Sequence, residues 1–144
     1  MKIRPYRPGD IEHMLHRTRD DFGNESLHGT RFLCEQGNTY VGEVDGVPVA
    51  LWGTQIIWKG VVHVWTLITD DARGHGLSLT KTIKRMLDEF CIANNIVRCE
   101  SVVKSDIEEN IRWLKTLGFE YEATQKHASP QGGDLDIFVR FYHG

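Results

Sequence analysis

The order of strand-like and helix-like segments predicts an α/β protein of the α+β type, with about seven strands in the order β-α-α-β-β-β-α-β-α-β-β. Two observations support this prediction. Three β-rich runs between residues 38 and 69 are separated by Asp45-Gly46 and Lys59-Gly60, pairs that favour hairpin turns. The third run leads through a glycine-rich turn into a segment with helical spacing of its apolar residues, so strand, turn and helix follow one another directly.

Length and composition fit a single globular domain over residues 1–144, with 40% hydrophobic and 26% charged residues. The net charge of −3 and the scattered basic residues argue against a nucleic-acid binder. Because no apolar run approaches the roughly 18 residues of a membrane-spanning helix, we expect a cytoplasmic protein. The three cysteines, Cys34, Cys91 and Cys99, lack metal-ligand spacing, so buried free thiols and no metal site are expected.

The amino-terminal half begins with a short strand over residues 2–7. Asp10 is expected to cap the helix that follows, because Ile11 and Met14 come after it at helical spacing. A second helix is predicted over residues 26–36, within a segment that has few other signals. The β-rich runs 38–44, 47–58 and 61–69 then form a three-stranded antiparallel meander.

The carboxyl-terminal half continues the alternation of helices and strands. Its predicted elements are a helix over 77–94, a strand over 97–103, a helix ending at 117, and paired strands over 119–126 and 135–142. Ser105 or Asp106 is expected to cap the second of these helices, and Gly118 to end it.

The turn between the third β-rich run and the next helix has the sequence Arg-Gly-His-Gly-Leu-Ser over residues 73–78. Glycines at such a turn let a ligand approach the backbone, and the free N–H groups of a helix start favour an anion. The turn therefore predicts phosphate binding. It fits neither the Walker loop, which needs a Gly-Lys pair, nor the dinucleotide fingerprint, which needs a glycine where Leu79 stands.

Arg73, Gly76 and Ser78 fit the pattern Arg/Gln-x-x-Gly-x-Gly/Ala, with Ser78 as a departure at the last position. This pattern resembles the pyrophosphate loop of the GNAT superfamily of N-acetyltransferases. Two further stretches resemble that family: residues 3–11, and residues 113–119, which end in Gly-Phe. The resemblance covers nearly the whole chain and implies a mixed, mostly antiparallel twisted sheet with helices on both faces.

The resemblance also implies a function and a site. The expected activity is transfer of an acetyl group from acetyl-CoA, a co-substrate, to a primary amine of a small molecule or a protein. In the family, the end of strand four holds the pantetheine arm and the loop amides hold the pyrophosphate. The implied cofactor-binding residues are Leu67, Ile68, Thr69, Arg73, Gly74, His75, Gly76, Leu77 and Ser78.

Direct transfer needs a base for the amine and an acid for the leaving thiolate. His63 is the leading candidate for the base, with Glu100, Tyr121 and Tyr142 as alternatives. The competing interpretations are a sheet-face histidine in a structural hydrogen bond and a solvated Glu100. Leu114 stands where the family usually has the tyrosine that serves as the acid, so binding of coenzyme A is better supported than efficient catalysis.

Residues 111–118 are also similar to short acetyltransferase-like proteins of tailed bacteriophages. The alternative hypothesis is therefore a non-catalytic binding, virion or host-interaction protein with a vestigial coenzyme A pocket, located in the host cytoplasm or the virion. A homodimer is possible if the final strand is exposed. The acceptor cannot be identified, because residues 20–37, the expected acceptor wall, contain no recognisable motif.

Overall fold

The structure, a computed structural model, describes residues 1–14, 38–72, 74–130 and 132–142. Its strands and helices are β1 (Lys2–Pro5), α1 (Asp10–Met14), β2 (Asn38–Val44), β3 (Val47–Trp58), β4 (Val61–Ile68), α2 (Gly76–Ala93), β5 (Arg98–Lys104), α3 (Glu108–Thr116), β6 (Glu120–Gln125) and β7 (Leu135–Phe141). The helix predicted over 26–36 lies outside the described residues. No helix in the described part of the chain is long and apolar enough to cross a membrane.

The seven strands form one sheet in the order β1-β2-β3-β4-β5-β7-β6. Strands β4 and β5 are parallel, whereas β1–β2, β2–β3, β5–β7 and β6–β7 are antiparallel. The prediction of a mixed, mostly antiparallel sheet is confirmed. The condition stated for a homodimer, an exposed final strand, is not met by β7, which pairs with both β5 and β6 and leaves β1 and β6 at the edges.

The hairpin turn at Asp45-Gly46 has the backbone conformation that its sequence predicts. Asp45 and Gly46 have φ angles of 52° and 77°, whereas in the turn at Lys59-Gly60 only Gly60 has a positive φ, of 83°. Positive φ at both central residues is typical of the two-residue turn that suits twisted antiparallel strands. The predicted hairpin at Asp45-Gly46 is therefore confirmed.

The chain divides into two compact units, the first of which comprises Met1–Gln55 and Trp65–Ile83. Helix α1 buries its apolar face in this unit, where the side chains of Tyr6 and Trp65 pack against a cluster of fully or nearly buried residues. The cluster consists of Ile11, Met14, Val41, Leu51 and Leu67. Burial of these apolar side chains is the main source of stability for the unit.

Asp10 is the first residue of α1, and its carboxylate binds arginine rather than a helix N–H group, which differs from the sequence prediction. Its two carboxylate oxygens accept hydrogen bonds from the Arg4 guanidinium, both at 2.8 Å, and one of them also accepts the Arg7 N–H at 2.6 Å. The Arg4 Nε donates to Glu43 at 2.9 Å. We call Arg4, Asp10 and Glu43 the Arg4 clamp. Burial raises the pKa of Asp10, but the hydrogen bonds from Arg4 and Arg7 lower it by more.

The second unit comprises Ile56–Val64 and Lys84–Gly144. Strands β5 and β7 pair over seven residues, from Arg98 with Phe141 to Lys104 with Leu135. The Arg140 side chain on β7 pairs with Asp88 of α2 at 2.7 Å and donates to the Leu117 carbonyl at 3.1 Å. These contacts tie β7 to α2 and to the end of α3.

Three sequence predictions concern this unit. Cys91 and Cys99 are buried free thiols, as expected, and Cys34 lies outside the described residues. The predicted cap of α3 was wrong, because Ile107 precedes the helix without a side-chain cap and the Ser105 hydroxyl donates to Asp136 at 2.6 Å instead. Gly118, with a φ of 96°, follows α3 as predicted.

Candidate functional site

The end of β4 in the first unit is anchored by Thr69, whose side chain is fully buried. The Thr69 N–H and hydroxyl both donate to the Val49 carbonyl, at 3.0 and 3.1 Å. The Thr69 carbonyl accepts the Ala72 N–H at 3.1 Å. Because its backbone donor and acceptor are both engaged within the chain, Thr69 fixes the direction in which the chain leaves the strand.

A 3-10 turn over Asp70–Ala72 then leads towards α2. The His75 N–H donates to the Ala72 carbonyl at 3.0 Å, and the Leu79 N–H donates to the His75 carbonyl at 2.9 Å. His75 therefore accepts the bond that starts the helix. The predicted sequence of strand, glycine turn and helix is confirmed.

The two glycines of the turn meet different requirements. Gly74 has a φ of 86°, a left-handed conformation that side chains disfavour, so the backbone itself requires glycine there. Gly76 has no such positive φ, and a Cβ atom added to it would meet nothing within 4 Å. The fold therefore does not require glycine at 76, whereas a ligand lying against the backbone would.

The first turn of α2 provides backbone donors at this point. The N–H groups of Gly76, Leu77 and Ser78 have no acceptor within the helix, because the first turn of any helix lacks one. All three residues are exposed, and the dipole of the 18-residue helix favours an anion at its amino end. These residues therefore fit a phosphate group such as those of coenzyme A. Arg73, predicted to belong to the same loop, lies outside the described residues.

Leu67 and Ile68 differ in the exposure of their side chains. The Leu67 side chain belongs to the buried cluster of the first unit, and Ile68 is half-buried. Any contact of Leu67 with an extended ligand arm would therefore use main-chain groups of β4.

His63 lies in the second unit, on the part of β4 that pairs with β5. In the parallel register His63 is the partner of Glu100, and both side chains are half-buried. Burial lowers the pKa of His63, and the negative charge of Glu100 partly opposes this effect. No hydrogen bond joins the His63 ring to another residue within the described ranges, so the expected structural hydrogen bond is not found there.

Glu100 is held by an arginine rather than solvated as its alternative interpretation predicted. The Arg98 Nε donates to Glu100 at 3.0 Å, and the two terminal nitrogens of Arg98 donate to the two Glu122 oxygens at 2.7 and 2.6 Å. We call Arg98, Glu100 and Glu122 the Arg98 clamp. Sequence reasoning missed Arg98 and Glu122, because no local pattern joins two residues that lie 24 positions apart.

The other positions considered for an acid or a base either hold a tyrosine hydroxyl that is hydrogen-bonded within the protein or, at 114, an apolar side chain with no proton to donate. Leu114 is a buried apolar residue of α3, with 6% of its surface exposed. The Tyr142 hydroxyl donates to Asp88 at 2.9 Å, and burial is the main cause of a raised pKa of Tyr142. The Tyr121 hydroxyl shares a hydrogen bond of 2.7 Å with the Thr124 hydroxyl. His63 therefore remains the best placed of the predicted bases.

No protein-family model and no curated protein match the sequence. Solved structures match nearly all of it. Ard1 from Thermoplasma volcanium has 17% identity and a TM-score of 0.78, over 99% of this chain and 98% of that one. The F149A mutant of the spermidine N-acetyltransferase SpeG from Vibrio cholerae has 16% identity and a TM-score of 0.71, over 98% and 95%. The structure of yncA from Salmonella typhimurium, solved with its cofactor acetyl-CoA, has 20% identity and a TM-score of 0.68, over 97% of this chain and 92% of that one.

The chain has the GNAT acetyltransferase fold. The predicted fold class is thereby confirmed. These matches give no support to a bacteriophage origin. Acetyl-CoA is present in one solved structure of this fold.

Proposed function

We propose that the protein is an N-acetyltransferase that uses acetyl-CoA to acetylate a primary amine of a small molecule or a protein. The observation that carries the proposal is the start of α2, where exposed first-turn amides lie beside a glycine, Gly76, that has open space in front of it. The fold shared with solved acetyltransferases supports the same activity.

The binding residues divide by the part of coenzyme A that they would hold. The amides of Gly74, Gly76, Leu77 and Ser78, together with Arg73, would hold the pyrophosphate, because backbone donors at a helix start favour anions. The His75 N–H is used by the Ala72 carbonyl, so His75 contributes by fixing the turn. Backbone groups of Leu67 and Ile68 would hold the pantetheine arm. Thr69 contributes by fixing the strand end, since its own N–H and carbonyl are used by Val49 and Ala72.

Bound acetyl-CoA supplies an activated thioester. His63 accepts the proton that the acceptor nitrogen loses when this nitrogen bonds to the acetyl carbon and displaces the sulfur with its electron pair. A thiol has a pKa of about 8.5, so sulfur leaves without a proton donor far more readily than an alkoxide does. The proposed reaction therefore accommodates Leu114 in place of an acid.

Calorimetric titration with acetyl-CoA tests the binding site. We expect the native protein to bind and Gly76→Trp to lose binding, because the indole fills the space in front of the helix start. Gly133→Trp is the matched control, since Gly133 in the connection between β6 and β7 also has no atom within 4 Å of an added Cβ and no positive φ. Failure of the folded native protein to bind, or equal binding by Gly76→Trp, would remove the basis of the proposal.

One alternative function is favoured by particular observations. Leu114 is buried and the hydroxyls of Tyr121 and Tyr142 are both engaged, which suits a non-catalytic binding protein, such as a virion or host-interaction protein, that retains the fold. Acetylation of any primary amine that is lost in Gly76→Trp and kept in Gly133→Trp would exclude this alternative. Binding of acetyl-CoA without turnover would favour it.

A further inference from the structure

Four ionisable side chains come together on one face of the second unit, and three different strands supply them. His63 on β4 and Glu100 on β5 are register partners of two parallel strands, so their side chains lie on the same face. Arg98 lies two residues before Glu100 and shares that face. Glu122 joins them from β6.

Glu122 lies at an irregularity of β6. The pairing of β6 with β7 shifts register between Tyr121 and Ala123, which leaves Glu122 as the extra residue of a bulge. Bulges often lie beside functional sites. The Glu122 carboxylate accepts hydrogen bonds from both terminal nitrogens of Arg98, at 2.7 and 2.6 Å.

The bidentate bond to Glu122 fixes the plane of the Arg98 guanidinium, because two parallel hydrogen bonds restrict its rotation. The Nε–H group is thereby directed to Glu100, to which it donates at 3.0 Å. Glu100 is in turn the charged group that acts on His63. Strand β3, the other neighbour of β4 in the sheet, has no ionisable side chain over Val47–Trp58.

We propose that Glu100 is a positioning residue for His63, and that Arg98 and Glu122 hold Glu100 in its place beside the imidazole. The catalytic consequence rests on the proposed acetyltransferase function, in which His63 takes the proton from the amine. The carboxylate of Glu100 then stabilises the imidazolium that forms. Glu100 itself exchanges no proton with the substrate, and its effect is to strengthen His63 as a base.

Nuclear magnetic resonance titration of the His63 ring tests the proposal without any substrate. The chain contains 7 histidines, so the His63 signal is assigned as the one missing from His63→Gln. We expect Glu100→Gln to lower the pKa of His63, because the charge that favours the imidazolium is removed. Glu120→Gln is the matched control, since it removes a carboxylate from the same strand as Glu122 at a residue that has no bond to Arg98. An unchanged His63 pKa in folded Glu100→Gln overturns the proposal.

The contribution of Arg98 is tested by repeating the comparison in an Arg98→Met background. If Arg98 holds Glu100 in place, the difference in His63 pKa between Glu and Gln at position 100 becomes smaller when Arg98 is absent. If Arg98 only screens the charge of Glu100, this difference becomes larger. A larger or unchanged difference therefore contradicts the positioning role of Arg98.

The pH profile of kcat/KM for acetylation of a primary amine, with spermidine as the first probe, separates the two proposals. In Glu100→Gln we expect kcat/KM to begin to fall at a lower pH than in the native protein. We also expect its plateau value to be lower, because His63 is then a weaker base. If the His63 pKa shifts in Glu100→Gln but the native protein shows no turnover, the pairing of Glu100 with His63 is supported and the proposed function is refuted. If both proteins turn over and kcat/KM falls at the same low pH in each, a group other than His63 takes the proton.

Discussion

Two arginines of this protein make the same pattern of hydrogen bonds to two carboxylates in different surroundings. In each case Nε donates to one glutamate and the two terminal nitrogens donate to both oxygens of a second carboxylate. In the Arg4 clamp the side chains of Arg4, Asp10 and Glu43 are 11%, 9% and 11% exposed. In the Arg98 clamp the corresponding values for Arg98, Glu100 and Glu122 are 26%, 28% and 37%.

The difference shows that burial decides what one hydrogen-bond pattern contributes. The carboxylates raise the pKa of both guanidinium groups. Buried charges that lose a partner cannot regain full hydration, so the loss of one member of the Arg4 clamp should destabilise the first unit. Half-exposed charges contribute little to stability, and the Arg98 clamp instead leaves Glu100 facing His63. The same motif thus supports the fold in one unit and a candidate active site in the other.

The largest effect that follows from this comparison is catalytic. We expect His63→Ala to lower turnover by about 10²- to 10⁴-fold, the usual contribution of a general base, with acetyl-CoA affinity unchanged. Steady-state kinetics and calorimetry on the same preparation measure the two quantities. Loss of binding together with turnover would show that His63 belongs to the binding site rather than to proton transfer.

Asp10→Ala is expected to have the largest effect on stability. Removing the bidentate partner leaves the buried Arg4 guanidinium with Glu43 as its remaining carboxylate partner, which lowers the free energy of unfolding by about 3 kcal/mol. Urea unfolding followed by circular dichroism measures this loss. Glu122→Ala, which removes the corresponding partner of Arg98, is the control, and equal losses in the two variants would contradict the comparison.

The stability due to the Asp10 charge should depend on pH with a definite sign. The pKa of Asp10 in the folded protein is lowered, below an unfolded value of about 3.9. The contribution is therefore complete above about pH 5 and is lost as the pH falls through the folded pKa. We expect the difference in unfolding free energy between the native protein and Asp10→Asn to shrink from pH 5 to pH 2. A constant difference would mean that the charge of Asp10 does not contribute.

The smallest effect is expected for Glu122→Gln. Its carboxylate is exposed, so the loss in unfolding free energy is about 0.5 kcal/mol, and about 1 M salt should remove most of it because exposed charges are screened. Urea unfolding at low and high salt measures both values. A loss that persists at high salt would place Glu122 among the structural residues, together with Asp10.

Features that depend on neighbouring residues were predictable from the sequence. The turn at Asp45-Gly46, the glycine turn and the start of α2 each follow from a few consecutive residues. The bond from Arg98 to Glu122 does not, because β5 and β6 are not adjacent and the order of the strands must be known first. The expected cap at Ser105 failed for a related reason, since Asp136, 31 positions away, takes its hydroxyl.

The position of β7 between β5 and β6 has a consequence for synthesis of the protein. On a nascent chain β6 emerges before its sheet neighbour exists, and the free edge of β5 stays unpaired from Arg98 to Lys104 until β7 has left the ribosome. Unpaired strand edges are templates for pairing with other chains. A chain truncated before Leu135 would therefore keep this edge of β5 unpaired and be prone to aggregation, whereas a released chain that includes Phe141 would not.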